Sequence, residues 1–283
     1  MKTLPYYGGK NIAGDINGWI MEILSQEDEK LYIEPFAGML GILTARQPVQ
    51  TEIVNDVNSW VYNYWKAIRD EPEELGRLID ATPRSRELFA ECAEYQMSKM
   101  ARNERADGVR DAWRFFVICF WSVHHGCRAT PGQFSVTYSS KKRSPKYTSD
   151  NIRILNQRIK GVTIENRDAL YIIERSIDEP QSVVYCDPPY KSADTSPYGK
   201  WHLDFEKFMD LCSAHKGRVA ISGYNDDYAP LLNRGWFESD LTVLSAATSP
   251  GGYLQERVEK LWTNFEPKLK KQGDMFSVGL NVE

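Results

Sequence analysis

Short apolar segments that alternate with turns and helical segments are the feature of this sequence that most constrains its fold. Residues 31–34 and 51–55 are predicted strands. A glycine-containing turn entering a helix is predicted between them, at residues 38–47, and a further helix at residues 58–69. Parallel α/β sheets require this succession of strand, turn, helix and strand. The sequence therefore predicts an α/β fold.

The alternation is interrupted by a long helical stretch. Residues 71–124 follow a helical pattern, and the mostly apolar residues 113–121 are predicted to form a buried helix. A polar stretch follows, in which the alternating residues 133–138 are a candidate β-hairpin. The α/β alternation then returns, with five further strands predicted at residues 162–165, 182–186, 218–222, 239–244 and 258–262.

This order of segments predicts one α/β domain that carries an insertion. We expect residues 1–59 and 149–283 to form the α/β domain, and residues 60–148 to form an inserted, mostly helical domain that includes the hairpin. The chain is long enough, because 283 residues can bury one large core or one core with a smaller appended domain.

The clearest chemical signal is Asp187-Pro188-Pro189-Tyr190, which follows the apolar residues 183–186. Open α/β sheets bind ligands at the carboxyl ends of their strands, where this sequence places a carboxylate. Because proline fixes φ and has no N–H, the two prolines hold the Pro188 carbonyl outward as an acceptor. Two acceptors and an aromatic ring suit a planar amine. A turn that ends a strand would explain the prolines, but neither the acid nor the tyrosine.

Two other segments indicate a nucleotide-type ligand. E-P-F-A-G at residues 34–38 follows the first strand, and a glycine in such a turn lets a ligand approach the backbone. The second strand ends in Asn55-Asp56, and an acid at this place typically binds ribose hydroxyls. The sequence has neither G-x-G-x-x-G nor a P-loop, which argues against a dinucleotide or a nucleoside triphosphate.

The N-terminal residues Tyr6, Tyr7, Gly8, Gly9 and Lys10 combine two aromatic rings, two glycines and a cation. They are compatible with a plain turn. They are equally compatible with a site in which a ring stacks on a base and the lysine contributes its charge. The residues alone leave both interpretations open.

Positive charge is concentrated in one segment of a chain whose formal net charge is −4. A negative mean charge argues against nucleic acid as a partner. Residues 128–147, however, contain five basic residues and no acid, with Phe134, Tyr138 and Tyr147 interleaved. This segment is either a solvated basic loop or a surface that binds phosphates. The basic residues are Arg128, Lys141, Lys142, Arg143 and Lys146.

Other features limit the class of protein. The five cysteines are scattered without C-x-x-C spacing, which argues against a disulfide framework and a zinc site. The adjacent His124 and His125 cannot readily point at one ion, so we expect no metal. The longest apolar run is too short to span a bilayer, and the N-terminus does not read as a signal peptide. We therefore expect a cytoplasmic protein without membrane contact.

Together these segments resemble the Dam-type family of DNA N6-adenine methyltransferases, in particular its phage-encoded members. The resemblance covers nearly the whole chain in the family's order. Aromatic-Gly-Gly-Lys comes first, then E-P-F-x-G, N-D after the second strand, a target-recognition insertion, an Asp after the third strand, and D-P-P-Y. The combination of D-P-P-Y with the N-terminal Gly-Gly-Lys is the specific part. The sequence departs from the family's F-x-G-x-G at Leu40, with Gly41 one place later.

The resemblance implies an α/β, Rossmann-like, S-adenosylmethionine-dependent methyltransferase sheet with an inserted, mostly helical target-recognition domain. It implies methylation of N6 of an adenine that is flipped out of double-stranded DNA, without a metal. We expect a monomer, with a dimer as the alternative. The cofactor-binding residues that it implies are Tyr6, Tyr7, Gly9, Lys10, Glu34, Pro35, Phe36, Ala37, Gly38, Asp56, Asp168 and Asp187, and the catalytic residues are Asp187, Pro188, Pro189 and Tyr190.

Within this set the residues have different expected roles. Phe36 to Gly38 would wrap the methionine end of the cofactor. Asp56 would hold the ribose hydroxyls, and Asp168 the amine of the cofactor's adenine. Asp187 and the Pro188 carbonyl would accept hydrogen bonds from the two N–H groups of the target amine and so make its lone pair available. Tyr190 would stack on the base.

The expected DNA contacts are of two kinds. Phosphate contacts position the protein, and contacts to base edges read the sequence. A surface around Lys99, Arg102 and Arg105 is the alternative location for these contacts. The residues expected to contact DNA are Lys141, Lys142, Arg143 and Lys146 for phosphates, and Arg128 and Gln133 for base edges.

Three other functions stay open from the sequence. Methylation of cytosine N4 can use the same acid-Pro-Pro-aromatic chemistry. A non-catalytic DNA-binding regulator would keep the fold, although D-P-P-Y is intact here. An RNA or protein methyltransferase is the third; the long basic insertion argues against a small protein substrate, and less strongly against RNA.

Overall fold

The computed structural model describes residues 3–5, 16–25, 28–122, 130–135, 147–189, 203–224, 226–247 and 254–267. The strands in these ranges are β1 (Leu31–Glu34), β2 (Thr51–Asn55), β3 (Thr163–Glu165), β4 (Ser182–Cys186), β5 (Arg218–Tyr224), β6 (Phe237–Ala247) and β7 (Leu254–Thr263). The α-helices are α1 (Ile16–Leu24), α2 (Ser59–Asp70), α3 (Pro72–Asp80), α4 (Arg86–Ala101), α5 (Gly108–Trp121), α6 (Ser149–Ile159), α7 (Ala169–Ser176) and α8 (Phe205–Ala214).

The strands form one sheet in the order β3-β2-β1-β4-β5-β7-β6. Strands β1 to β5 pair in parallel, and β7 is antiparallel to both β5 and β6. The chain runs outward from β1 through β2 to β3 and then crosses back to β4 on the other side of β1. Because the order reverses between β1 and β4, the turns after these strands border the crevice where open α/β sheets bind ligands. The predicted Rossmann-like α/β fold is confirmed.

The two faces of the sheet are buried in separate apolar clusters. Tyr32 and Tyr185 lie in a cluster with residues of helices α1 to α6. Ile33 and Val184, which alternate with them along β1 and β4, lie in a second cluster with residues of α7 and α8. Side chains of successive strand residues point to opposite faces, so apolar residues on both faces require helices on both sides.

The helices of the interrupting segment pack against one another and against α6. Helix α5 contacts α2, α3 and α4, and α3 contacts α6. Arg158 of α6 donates two hydrogen bonds to the buried carboxylate of Glu52 on β2, at 2.6 and 2.8 Å, which anchors α6 to the sheet. The helices of the segment and one face of the sheet therefore share a core. The domain division at residues 60 and 148 stays a prediction.

Two local predictions differ from the structure. The helix predicted within residues 38–47 is wrong, since this segment forms successive turns. Gly38 and Leu40 have φ values of 46° and 55°, in the left-handed region that interrupts a right-handed helix, and Pro48 disfavours helical backbone at Gln47. In the candidate hairpin, Pro131–Gln133 is a 3₁₀ helix and Phe134 forms a single bridge to Ser122, while residues 136–138 lie outside the described residues.

Candidate active site

The pairing of β1 with β4 brings two of the predicted motifs together. Ile33 is in register with Val184, so the E-P-F-A-G segment and Asp187 leave neighbouring parallel strands at the same edge of the sheet. Asp56 follows β2 at the same edge, since Glu34 is in register with Val54. Residues that are far apart in the sequence therefore border one crevice.

Glu34 is a buried carboxyl group at the end of β1. Its Oε1 accepts a hydrogen bond of 2.8 Å from the Tyr32 hydroxyl, and its side chain also bonds the backbone of Leu43. Burial raises the pKa of Glu34 to about 7, and the nearby charge of Asp187 acts in the same direction. Through Leu43, Glu34 fixes the segment that follows the turn. It therefore supports the turn from within the core.

The turn at residues 37–40 is held by β2 and α2. Ala37 N donates to the Asn55 carbonyl at 2.8 Å, and Gly38 N donates to Asp56 Oδ2 at 3.0 Å. The Trp65 indole N–H donates to the Gly38 carbonyl at 2.9 Å. Leu40 occupies the left-handed region although it is not a glycine, and its side chain is fully buried. Packing of that side chain stabilises a conformation that the backbone of leucine disfavours.

Asp56 is a half-buried carboxylate between two backbone amides. Its Oδ1 accepts from Asn58 N at 2.8 Å, and its Oδ2 accepts from Gly38 N at 3.0 Å. Burial raises the pKa of Asp56 to about 6, and the two backbone hydrogen bonds act in the opposite direction. Each oxygen has a second lone pair, so the group can also accept hydrogen bonds from a pair of hydroxyls.

Asn55 is a functional candidate that sequence reasoning did not single out. Its buried side-chain amide donates to the Pro35 carbonyl at 2.9 Å and to the Arg167 carbonyl at 3.1 Å. Its Oδ1 accepts from Arg167 N at 2.8 Å. One side chain at the end of β2 thus ties together the loops that follow β1 and β3. We call this arrangement the Asn55 clasp.

Asp168 lies in the loop after β3, where its carboxylate begins helix α7. Its Oδ1 accepts from Leu170 N at 2.8 Å, which satisfies one of the amides that a helix leaves open at its start. Asn166, in the same loop, donates to the Asp56 carbonyl at 2.6 Å and accepts a hydrogen bond from Arg105. Asp168 is exposed.

Asp187 follows β4 and is bonded to a neighbouring strand. Its Oδ1 accepts a hydrogen bond of 2.8 Å from the Ser222 hydroxyl of β5. Pro188 is buried and Pro189 is half-buried. Ser222 was not among the predicted site residues. Its only signal in the sequence is that it is polar and directly follows three apolar residues at the end of the strand predicted at residues 218–222.

Of the remaining predicted cofactor-binding and catalytic residues, the structure describes only Pro35, Phe36 and Ala37. The Phe36 ring packs edge-on against Phe208 of α8, with 5.7 Å between ring centroids, so this half-buried side chain packs against the core. Pro35 and Ala37 are buried beside it in the turn. The predicted residues Tyr6, Tyr7, Gly9, Lys10 and Tyr190 lie outside the described residues.

Most of the predicted DNA-contacting residues also lie outside the described residues, namely Arg128, Lys141, Lys142, Arg143 and Lys146. Gln133 is described, and its Oε1 accepts from Thr130 N at 3.0 Å, which closes the 3₁₀ helix. Phe134 and Tyr147, which the sequence places among the basic residues, are buried core residues.

The alternative basic surface is engaged with the protein itself. Lys99 forms an ion pair of 2.8 Å with the buried Asp111, and Arg102 forms one of 2.6 Å with Glu104. Arg105 is bonded to Asn166, as described above. Arg84 and Arg86 are exposed and lie over the Phe134 ring, and Arg84 also donates a hydrogen bond to the Ser135 carbonyl.

The described ranges also bear on metal sites, thiols and membrane-spanning helices. No group of three His, Cys, Asp or Glu side chains there is placed to hold a metal ion. Cys92, Cys119, Cys186 and Cys212 are buried free thiols. None of the helices in these ranges has the length and apolar character that crossing a membrane requires.

An edge of this kind, with a glycine turn, an acid directly after β2 and an acid-Pro-Pro sequence after β4, is typical of α/β enzymes that bind a nucleoside-containing cofactor. The family model of D12 class N6 adenine-specific DNA methyltransferases matches residues 6–215. Because this match covers most of the chain, the protein belongs to that family. It is therefore an adenine-specific DNA methyltransferase by family, and the cofactor that this membership implies is S-adenosyl-L-methionine.

Individual relatives agree with the family. A DNA adenine methylase of Escherichia coli (strain K12) is 24% identical over 249 residues, which are 83% of this chain and 86% of the relative. A type II methyltransferase of Lactococcus lactis subsp. cremoris is 25% identical over 178 residues. That second match spans 60% of each chain, so the chain covers less than two thirds of this relative.

Solved structures match most of the chain's length, but with low TM-scores. A SAM-dependent methyltransferase from Agrobacterium tumefaciens has a TM-score of 0.39 and 11% identity, covering 89% of this chain and 62% of that one. An rRNA methylase from Streptococcus thermophilus has a TM-score of 0.34 and 12% identity, covering 87% and 93%. The fold assignment rests on the strand order of the sheet itself.

Proposed function

We propose that the protein transfers a methyl group from S-adenosyl-L-methionine to N6 of an adenine flipped out of double-stranded DNA at a specific sequence. The observation that carries this proposal is the pairing of β1 with β4, because it joins the turn at residues 34–38 and the Asp-Pro-Pro sequence at one crevice. Membership in the adenine-specific family supports the choice of base. Since DNA is the substrate, we propose the cytoplasm as the place of action.

The residues at the edge fit a nucleoside-containing cofactor. Asp56 is a half-buried carboxylate with lone pairs for two hydroxyl donors, next to the left-handed turn at Gly38. We propose that Asp56 holds the ribose hydroxyls and that Asp168 receives the amine of the cofactor's adenine. The backbone of Phe36 to Gly38 would line the methionine end. When bound, the cofactor supplies an electrophilic sulfonium methyl group.

The chain's own chemistry is to prepare the amine. The lone pair of the adenine amine is delocalised into the ring, which makes it a poor nucleophile. Asp187 and the Pro188 carbonyl would accept hydrogen bonds from the two N–H groups of this amine and favour tetrahedral geometry at its nitrogen. Tyr190 would stack on the base. Since N6 is paired inside a duplex, the adenine must leave the stack, at a cost of a few kcal/mol.

DNA contacts of the basic segment would supply part of that free energy. We propose that Lys141, Lys142, Arg143 and Lys146 neutralise phosphates, and that Arg128 and Gln133 read base edges. The exposed Arg84 and Arg86 extend this positive charge to the described part of the chain. The ion pairs of Lys99 and Arg102 favour the basic segment over the alternative surface.

The direct test is the product. The protein is incubated with unmethylated duplex DNA and S-adenosylmethionine, and the digested DNA is analysed by mass spectrometry. N6-methyladenine is expected; N4-methylcytosine would replace the base assignment, and no methylated base would contradict methyl transfer. Asp187→Ala should abolish methylation while S-adenosylmethionine binding, measured by calorimetry, persists. Activity near the wild-type level in this variant would contradict the role of Asp187.

A further inference from the structure

Asp187, Tyr185 and Ser222 lie on one face of the sheet. Tyr185 of β4 is in register with Ala220 of β5, and Cys186 with Ile221. Because side chains alternate along a strand, Tyr185 and Asp187 share a face with Ala220 and Ser222. Ser222 therefore stands beside both residues, one step beyond the last registered pair.

The hydrogen bonds among these three residues have a defined direction. Ser222 Oγ lies 2.8 Å from Asp187 Oδ1 and 3.4 Å from the Cys186 carbonyl. An ionised carboxylate only accepts, so the single hydroxyl proton of Ser222 goes to Asp187 at the shorter distance. Tyr185 Oη, 3.2 Å from Ser222 Oγ, must then donate to Ser222. The order is Tyr185 to Ser222 to Asp187.

We infer that Ser222, supported by Tyr185, is a positioning residue that orients the Asp187 carboxylate toward the target amine, an inference that rests on the proposed function. The prolines after Asp187 fix the backbone but leave rotation of its carboxylate about the side-chain bonds. A donor on Oδ1 fixes the plane of the group. Preorganised acceptors stabilise developing charge without reorganisation during the reaction. Both supporting side chains are buried, so water does not compete for these bonds.

The contrary view is that Ser222 only satisfies a buried polar group. Removing its hydroxyl would then lower stability and leave the rate of transfer unchanged. A positioning role predicts that the effect falls on kcat, because loss of an interaction made to the reacting group lowers kcat and leaves substrate binding intact.

The experiment is steady-state kinetics of the full chain with duplex DNA and S-adenosylmethionine. In Ser222→Ala, we expect kcat to fall by about 10- to 100-fold, the effect of one hydrogen bond to a charged group, while KM for each substrate changes by less than about twofold. In Tyr185→Phe, which keeps the Ser222 donor, we expect a smaller fall in kcat. Circular dichroism and cofactor calorimetry establish that each variant is folded.

Ser182→Ala is the matched control. It removes a buried hydroxyl at the amino end of β4, the strand that precedes Asp187, where Ser182 Oγ donates to the Glu179 carbonyl at 2.6 Å, and kcat should stay at the wild-type value. A wild-type kcat in Ser222→Ala overturns the inference, and so does a raised KM alone. Should Ser222→Ala fail to fold, a wild-type kcat in Tyr185→Phe overturns it. Absence of transfer by the wild-type protein would instead refute the proposed function.

Discussion

Replacing Asn55 by alanine should weaken both the fold and the cofactor site, because it removes the Asn55 clasp. Three hydrogen bonds disappear, to the Pro35 carbonyl and to the carbonyl and amide of Arg167. At roughly 1 kcal/mol for each bond, the free energy of unfolding should fall by about 3 kcal/mol. The loops that follow β1 and β3 then lose their common anchor.

Those two loops carry residues 36–38 and Asp168, so disorder in the loops should weaken binding of the cofactor. A site that must be ordered on binding binds more weakly, and we expect the dissociation constant for S-adenosylmethionine to rise by about tenfold or more. Urea denaturation followed by tryptophan fluorescence measures the first effect. Calorimetry under native conditions measures the second.

Asn156→Ala is the matched control for the Asn55 variant. The Asn156 amide also donates to two backbone carbonyls, of Ile68 at 2.8 Å and Arg69 at 3.0 Å, but at the end of α2. This variant should lose about 2 kcal/mol of stability and keep the wild-type cofactor affinity. If Asn55→Ala is destabilised but binds the cofactor as tightly as wild type does, the clasp is structural only and the reasoning is refuted.

Three further perturbations test separate parts of the site. Asp56→Ala should weaken S-adenosylmethionine binding about 10- to 100-fold by calorimetry, whereas Asp204→Ala, which removes an exposed carboxylate that caps α8, should not; equal affinities would remove Asp56 from the site. Glu34→Gln should stabilise the protein on the order of 3 kcal/mol above pH 7 and hardly at all near pH 4.5, as measured by urea denaturation, and a difference that is equal at both pH values would contradict this. The sign follows because the pKa of Glu34 is raised from 4.5 to about 7, so the folded state holds a proton that the unfolded state has released, and stability falls as pH rises through that window. Alanine at four basic positions should weaken binding to all DNA sequences alike and flatten the salt dependence by roughly one unit of slope for each contact, with Lys216→Ala as the control; an unaltered slope would make the segment a solvated surface. The four positions are Lys141, Lys142, Arg143 and Lys146.

The regular part of the fold followed from local sequence patterns. The strand predicted at residues 182–186 coincides with β4, and the buried helix predicted at residues 113–121 lies within α5. Both segments consist mainly of apolar residues, so their burial and their secondary structure are decided by the same residues. Asp56 and Asp187 were found for a related reason, since an acid directly after a strand lies at the carboxyl edge whatever the strand order.

The contacts that connect these segments did not follow from the sequence. Asn55 bonds Arg167 across 112 positions, and Ser222 bonds Asp187 across 35, so each depends on which strands are neighbours. The prediction of a helix within residues 38–47 failed for another reason. The local sequence favoured a helix there, but the left-handed backbone at Leu40 is maintained by tertiary packing that local propensity does not contain.

The core that the sheet shares with α3, α4 and α5 limits how this chain can exchange parts with its relatives. A recombination event that replaced residues 60–148 alone would bring new helix surfaces against the unchanged faces of α6 and β1. Mismatched volumes in a close-packed interior typically cost about 1–3 kcal/mol each. New DNA specificity should therefore arise more readily by substitution or by replacement of the short segment after Phe134 than by transfer of the whole helical segment.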